Sequence, residues 1–335
     1  MRNPVATLLM LSVFASAVQA DLAPPVRLLP ADLPHAAPYF SDVDRDGKPD
    51  LLVGLFREDP YSGARLQWFR NLGETAQPKW GNGAWLRAGE KPMAVDEFCH
   101  TGFGPQMIDF DGDGIEDLVS GSSDCRINVF PGIGTGRFGD GFTITYINDG
   151  REQRAFRFNT RIFVDDWDGD GALDLLAARN KSVWWIRNRD GKTGPAYEKP
   201  VPVVTIPRPE RLFVEAVVVA DWNLDGRKDL VTARSDGSLV WYGNRRAKGL
   251  PQLNEPETLT GPIGKGFFRV SPTGDFEEPV DPCGRIRFCV ADYNGDALPD
   301  ILVGTAWMKT PRHDAKHPGP AQSPNVGTVE NRCKV

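Results

Sequence analysis

Short apolar runs alternate along the chain with clusters of Asp, Asn, Gly and Ser, and the runs are rich in Val, Ile, Leu and aromatic residues. Such runs predict strands. They fall at Phe213–Ala220 and Arg285–Ala291 before an acidic phrase, and at Leu51–Val53 and Ile301–Val303 after one. A turn such as Arg179-Asn180-Lys181 or Ser235-Asp236-Gly237-Ser238 follows, and then an aromatic strand: Leu66–Phe69, Ile127–Phe130, Val183–Ile186 or Leu239–Tyr242. A more variable fourth strand fills the remainder, as at Phe142–Ile147 and Val201–Ile206. The unit is therefore strand, acidic loop, strand, turn, strand and variable strand. Long helices have no room in it, and its recurrence about every 60 residues predicts an all-β propeller of four-stranded antiparallel blades.

The acidic phrase occurs five times, starting at residues 42, 109, 166, 221 and 292. Oxygen-bearing side chains stand at positions 1, 3, 5 and 9 of each copy. They are Asp42, Asp44, Asp46 and Asp50 in loop 1; Asp109, Asp111, Asp113 and Asp117 in loop 2; Asp166, Asp168, Asp170 and Asp174 in loop 3. Loop 4 has Asp221, Asn223, Asp225 and Asp229, and loop 5 has Asp292, Asn294, Asp296 and Asp300. Position 6 is Gly in four copies and Ala297 in the fifth, where distortion of the loop is expected. Alternate side chains that converge across a sharp turn can wrap one hard cation, and oxygen donors without His or Cys select calcium over transition metals. Position 7 varies among Lys48, Ile115, Ala172, Arg227 and Leu298, as expected where only a backbone carbonyl is offered. Up to five calcium ions are implied. An EF-hand loop would need Glu at position 12 and flanking helices, whereas Val53, Ser120, Ala177, Thr232 and Val303 stand there. The alternative is a set of metal-free Asx turns.

Export changes the context. Arg2 precedes an apolar run from Val5 to Val18 that ends at Val18-Gln19-Ala20, so residues 1–20 read as a secretory leader and residues 21–335 as the propeller. No other apolar stretch is long enough to span a bilayer, and the chain is expected outside the cytoplasm, secreted or periplasmic. Cys99, Cys125, Cys283, Cys289 and Cys333 all lie in the mature part, where an oxidising compartment permits pairing. Cys99 with Cys125 and Cys283 with Cys289 are the local pairs, but the connectivity stays open. With 39 basic against 45 acidic residues and a net charge of −6, a nucleic-acid footprint is not expected.

With these residues in view, the chain resembles the FG-GAP/VCBS repeats over roughly residues 38–335. These are calcium-binding propeller blades found in integrin α-subunit head domains, some fungal lectins and many secreted bacterial proteins. Phe69-Arg70-Asn71-Leu72-Gly73 and Gly104-Pro105-Gln106-Met107-Ile108-Asp109 look most like the secreted bacterial branch. The resemblance implies seven blades, whereas the loops number five. An ordinary five-bladed ring and a shortened relative of a seven-bladed protein both stay open. The last aromatic strand is degraded to Asn325–Asn331, and Pro25–Leu29 is expected to supply the outer strand of the last blade.

Other constellations are weaker. Gly134-Thr135-Gly136-Arg137-Phe138-Gly139 spells a dinucleotide fingerprint but precedes a strand, so it reads as a turn. His313 and His317 sit in a Pro-rich insertion at 311–324, and neither they, His35 nor His100 has a nucleophile or acid at a diagnostic spacing. Phe110, Trp167, Trp222 and Tyr293 share loop position 2 and are expected to pack between blades. The pairs Trp184-Trp185 and Trp241-Tyr242 alternate faces, so one member of each is a candidate for sugar stacking. The expected function is a calcium-stabilised binding or adhesion module for an extracellular glycan or protein. The alternatives are a carbohydrate-active, lyase-like enzyme using the central cleft, which acid, base and cation converging there would favour, and a scaffold with no ligand beyond calcium. Catalytic residues, ligand and oligomeric state stay open.

Overall fold

The strands after the acidic loops are apolar on both faces, which in an antiparallel sheet requires both faces to be covered. The computed structural model describes residues 28–29, 36–55, 63–95, 102–121, 126–144, 147–148, 151–152, 161–189, 197–207, 212–261, 286–308 and 331–334. In it Asp50–Gly54 is buried throughout, and Asp117–Gly121, Asp174–Arg179 and Asp229–Arg234 are buried at all but their last residue. The covering surfaces are the neighbouring sheets.

Among the described residues there is no helix, and the strands form five main antiparallel sheets. Blade 1 runs Ala37–Ser41, Asp50–Gly54, Ala64–Phe69 and Ala84–Trp85, with Ala94–Val95 also paired to the third strand. Blade 2 is Gln106–Ile108, Asp117–Gly121, Ile127–Phe130 and Phe142–Ile144. Blade 3 is Arg161–Asp165, Asp174–Arg179, Ser182–Ile186 and Val201–Thr205. Blade 4 is Val214–Ala220, Asp229–Arg234, Leu239–Tyr242 and Glu257–Thr260. The fifth sheet has three strands, Arg287–Ala291, Asp300–Met308 and Asn331–Lys334. Each acidic loop joins the first strand of its sheet to the second.

The first strand of every sheet faces the axis. A cavity of about 70 Å³ is lined by Tyr39, Gln106, Arg161, Val217 and Arg287, one residue from each innermost strand among its walls. Burial decreases toward the rim, where Phe142–Ile144 and Val201–Thr205 are largely exposed.

Five apolar cores fill the spaces between blades. Leu52, Leu66, Phe103 and Leu118 join blades 1 and 2; Val119, Ile127, Leu175 and Ile186 join blades 2 and 3. Trp167, Leu176, Val217 and Leu230 join blades 3 and 4, and Val218, Val231, Ile286 and Phe288 join blades 4 and 5. The fifth core, with Leu29, Leu51, Val53, Cys289 and Leu302, joins blade 5 to blade 1. The described residues thus close a ring of five, and the seven-bladed alternative is not what they form.

Closure differs from expectation in its means. Leu28 and Leu29 carry no strand pairing and instead pack their side chains into that fifth core. Pro25, Val26 and Arg27 lie outside the described residues, as do the leader and the 311–324 insertion. Aromatic contacts reinforce the joint: Phe40 lies 5.6 Å from Tyr293 and 6.3 Å from Trp80, centroid to centroid. Cys289 is a buried free thiol, so the local pair with Cys283 is not made, while Cys99, Cys125 and Cys283 themselves lie outside the described residues.

Candidate metal loops

Each acidic phrase folds by hydrogen-bonding its own backbone. In loop 1, Asp42 accepts from the amides of Asp46 (3.0 Å) and Gly47 (2.9 Å), and Asp46 accepts from the amide of Lys48 (3.0 Å). Loop 3 repeats this at Asp170, Gly171 and Ala172, and loop 4 at Asp225, Gly226 and Arg227. These are stacked Asx turns, and they draw alternate carboxylates to the inside of the curl. Positions 4 and 6 are both left-handed in every loop, with Arg45, Gly112, Gly169, Leu224 and Gly295 at position 4.

Ala297 does not distort loop 5. It adopts φ 65°, and its amide reaches Asp292 at 2.9 Å as the position-6 glycines do in the other loops. Open space explains the tolerance: a Cβ on Gly47, Gly114, Gly171 or Gly226 would meet nothing within 4 Å. Glycine is favoured there by φ alone, and a left-handed alanine costs roughly 1–2 kcal/mol.

Position 9 opens the second strand and is buried in loops 1 to 4, where Asp50, Asp117, Asp174 and Asp229 are at most 1% exposed. In three blades its two oxygens are spoken for. Asp174 accepts from Trp185 Nε1 at 2.9 Å and from the amide of Asn188 at 2.8 Å. Asp50 does the same with Trp68 and Asn71, and Asp229 with Trp241 and Asn244. Blade 2 has Val129 in place of the tryptophan, and Asp117 accepts instead from the amides of Phe110 (2.9 Å) and Gly132 (2.8 Å). Desolvation raises the carboxyl pKa of all five position-9 residues, with Asp174 pushed up to about 7.

The carboxylates converge well enough to hold a hard cation. Ligand oxygens of Asp42, Asp44 and Asp50 lie within 4.8 Å of one another, as do those of Asp109, Asp111 and Asp117, and of Asp166, Asp168 and Asp170. All are hard oxygen donors, the chemistry calcium takes. Loops 4 and 5, with Asn223 and Asn294 at position 3, carry less charge.

Cations of the chain itself reach some of these loops. Arg70 pairs with Asp44 at 2.6 Å and Asp46 at 3.1 Å, and Arg187 pairs with Asp168 at 2.7 Å and Asp170 at 2.8 Å. In loop 4 the position-7 side chain is engaged, contrary to the expectation that only its carbonyl counts: Arg227 bonds Asp225 and the carbonyl of Asn244. Among the described residues no cation pairs with Asp109, Asp111 or Asp113. The sequence reading missed Arg70 and Arg187, although both stand at the same place in Trp68-Phe69-Arg70-Asn71 and Trp185-Ile186-Arg187-Asn188.

The turns after the third strands share this end of the disc. Gly136 of blade 2 lies against Val43 and Asp44 of loop 1, and the amide of Gly249 in blade 4 donates to the carbonyl of Asp168 at 2.6 Å. Gly134–Gly139 is indeed a turn, closed by a 2.9 Å bond from the Ile133 amide to Arg137. Leu72, Ile133, Leu224, Leu250 and Leu298 are exposed on these connections.

The aromatic expectations divide. Trp167 and Trp222 are buried between blades and Phe110 and Tyr293 pack there too, as expected. Trp185 and Tyr242 are buried, whereas Trp184 and Trp241 are half-buried, each packing partly against an inter-blade core. At the axis, Arg161 pairs with Glu215 at 3.1 Å, and the Gln106 amide bridges to both backbone groups of Val164. Tyr39 donates to the carbonyl of Met107, and burial raises its pKa and pushes the Cys289 thiol to about 12. The side chains of Arg161, Glu215, Gln106 and Tyr39 tie blades together. His35, His100, His313 and His317 lie outside the described residues.

Residues 166–232, from the start of loop 3 into the second strand of blade 4, match the family model of an FG-GAP-like repeat. No curated protein matches the chain. Thirteen chains of solved structures do. One is an Agrocybe aegerita lectin described as recognising non-reducing terminal N-acetylglucosamine, at 17% identity and a TM-score of 0.39. The match covers 81% of this chain and 62% of the lectin, so the chain spans less than two thirds of that protein's length. No helix among the described residues is long and apolar enough to cross a membrane.

Proposed function

We propose, from the FG-GAP-like repeat matched at residues 166–232 and the ring of blades around it, that the chain is an exported, calcium-binding propeller that serves as a binding module for an extracellular glycan or protein. The observation that carries this reading is loop 2, where Asp109, Asp111 and Asp117 bring oxygens within 4.8 Å of one another and no cation of the described chain neutralises them. Asp109, Asp111 and Asp113, with Asp117 behind them and the carbonyl of Ile115 at position 7, would hold the ion, which supplies charge neutralisation and fixes the curl of the loop. The corresponding residues of the other four loops form weaker candidate sites.

The binding face follows from where the chain spends its exposed apolar side chains. Leu72, Ile133, Leu224, Leu250 and Leu298 stand on loops and turns at the calcium end, on a rigid ring, the arrangement in which loops commonly carry recognition. At the axis the polar groups are already bonded within the ring, which favours a binding module over a catalyst using the central cleft. Calorimetric titration of EDTA-treated protein with calcium tests the metal reading, and a glycan array run with calcium and with EDTA tests the module. Absence of any heat of binding at millimolar calcium would refute the first, and binding indifferent to EDTA would detach the ligand face from the loops.

A further inference from the structure

In two of the five loops an arginine from the end of the third strand already bridges positions 3 and 5. The Arg187 guanidinium reaches from the end of the third strand of blade 3 over loop 3, with Nε on Asp168 and Nη2 on Asp170. Arg70 does the same from blade 1 over loop 1, on Asp44 and Asp46. The residues bridged are positions 3 and 5 in both cases. Their other oxygens already accept backbone amides: Asp44 and Asp168 from position 5, Asp46 and Asp170 from position 7. Each guanidinium makes one charge-assisted hydrogen bond, from Nη2 to Asp46 or Asp170, and holds Asp44 or Asp168 as an ion pair near Nε, contacts that a point cation must displace or share. The Asp168 side chain is 1% exposed and Arg187 is one-third exposed, so solvent screens that pair less than the Arg70 pair, whose arginine is half exposed.

Blade 2 lacks the device. Its third strand ends Phe130-Pro131-Gly132, where blades 1 and 3 end Phe69-Arg70-Asn71 and Ile186-Arg187-Asn188. We infer that Arg70 and Arg187 are built-in counter-cations that hold loops 1 and 3 without metal, so that calcium dependence is concentrated in loop 2. The inference rests on the calcium reading above for loop 2 but makes its own claim about loops 1 and 3.

The test is calcium titration and melting of the whole mature chain as wild type, Arg70→Gln, Arg187→Gln, Arg187→Lys and Asp113→Asn. Wild type should show its tightest calcium event abolished by Asp113→Asn and untouched by either arginine variant. Arg187→Gln should add or strengthen a separate event by roughly tenfold, the scale of one partly buried charge-assisted pair. It should also lower the melting point in EDTA, with calcium restoring it, while Arg187→Lys keeps the charge and stays near wild type. Arg70→Gln should do the same more weakly. Arginine variants that change neither the number nor the strength of calcium events, or whose lost stability calcium does not restore, overturn the inference and leave the loop 2 reading standing. No calcium binding by wild type with a new event in Arg187→Gln upholds the claim that the arginines hold loops 1 and 3 without metal and refutes the placing of calcium in loop 2.

Discussion

Gly304, in the last blade, lies so close to Ala36, at the entry to the first, that a Cβ on the glycine would come 2.1 Å from the Ala36 carbonyl oxygen. Gly54 meets the carbonyl of Phe103 in the same way, at 1.9 Å, where blade 1 meets blade 2. Both glycines are the fifth residue of their second strand, and both also face the ring of a proline two residues on, Pro38 or Pro105. The joint between blades 5 and 1 therefore repeats an ordinary joint between consecutive blades. Among the described residues, this packing is what closes the ring.

Gly304→Ala should accordingly open the ring joint. The obstacle is backbone, which cannot swing aside, so the variant is expected to lose about 1–3 kcal/mol or more. Gly54→Ala should cost as much. Gly104→Ala is the control, because a Cβ there meets nothing within 4 Å and its φ is not left-handed. Denaturant unfolding of the three variants measures the difference, and a Gly304→Ala protein as stable as Gly104→Ala would show that the joint is loose.

The pairing of Trp185 with Asp174 gives the second prediction. Trp185→Phe preserves most of the packing but removes the Nε1 donor from a carboxylate that is 0% exposed. The loss expected is about 1–3 kcal/mol, the usual cost of leaving a buried acceptor unmet. Trp68→Phe and Trp241→Phe should behave alike, since each serves the position-9 aspartate of its own blade. Val129→Ala in blade 2 would lose only packing. Equilibrium unfolding compares them, and equal costs for Trp185→Phe and a conservative apolar change would deny the hydrogen bond any weight.

Much of this was legible in the sequence because the repeat imposes it. A phrase occurring five times marked the loop positions and the strand that follows each loop while leaving the blade count open, and Phe142–Ile144 and Val201–Thr205 fell where the variable fourth strand was expected. What stayed hidden depends on pairs distant in sequence. Position 9 reads as one more ligand until Trp185 and Asn188 are seen to take both oxygens of Asp174. That Trp184 and Trp241 pack part of their surface against a neighbouring blade depends on residues of that blade, which their own strand pattern does not contain. The role of Ala297 could not be read from its identity, because tolerance depends on empty space around Cβ rather than on the residue type at position 6.

Asp174 also predicts a pH dependence. Burial raises its pKa from the ordinary 3.8 to about 7 in the folded chain, so between those values the folded state holds a proton that the unfolded state has released. Its contribution to stability is complete below 3.8 and is lost as pH rises through about 7. In EDTA the melting point of wild type should therefore fall from pH 4.5 to 7.5 more steeply than that of Asp174→Asn, which has no proton to lose. Parallel slopes for the two proteins would remove Asp174 as the cause.

Calcium should reverse that trend, because it favours the carboxylate that burial disfavours. A metal bound only by the folded state stabilises by mass action. At the roughly 10⁻⁴ to 10⁻³ M affinities of extracellular calcium modules, millimolar calcium contributes about 0.4–1.4 kcal/mol at each occupied site. Were all five loops occupied, the increments would together rival the stability of a domain. With loops 1 and 3 held by Arg70 and Arg187 respectively, the gain should be nearer that of one or two sites, and Asp113→Ala in loop 2 should abolish more of it than Asp170→Ala or Asp296→Ala. Asp170→Ala should instead lower stability in EDTA as well, since it releases Arg187. Melting each variant with and without calcium separates the two effects: a calcium increment unchanged by Asp113→Ala would move the site away from loop 2.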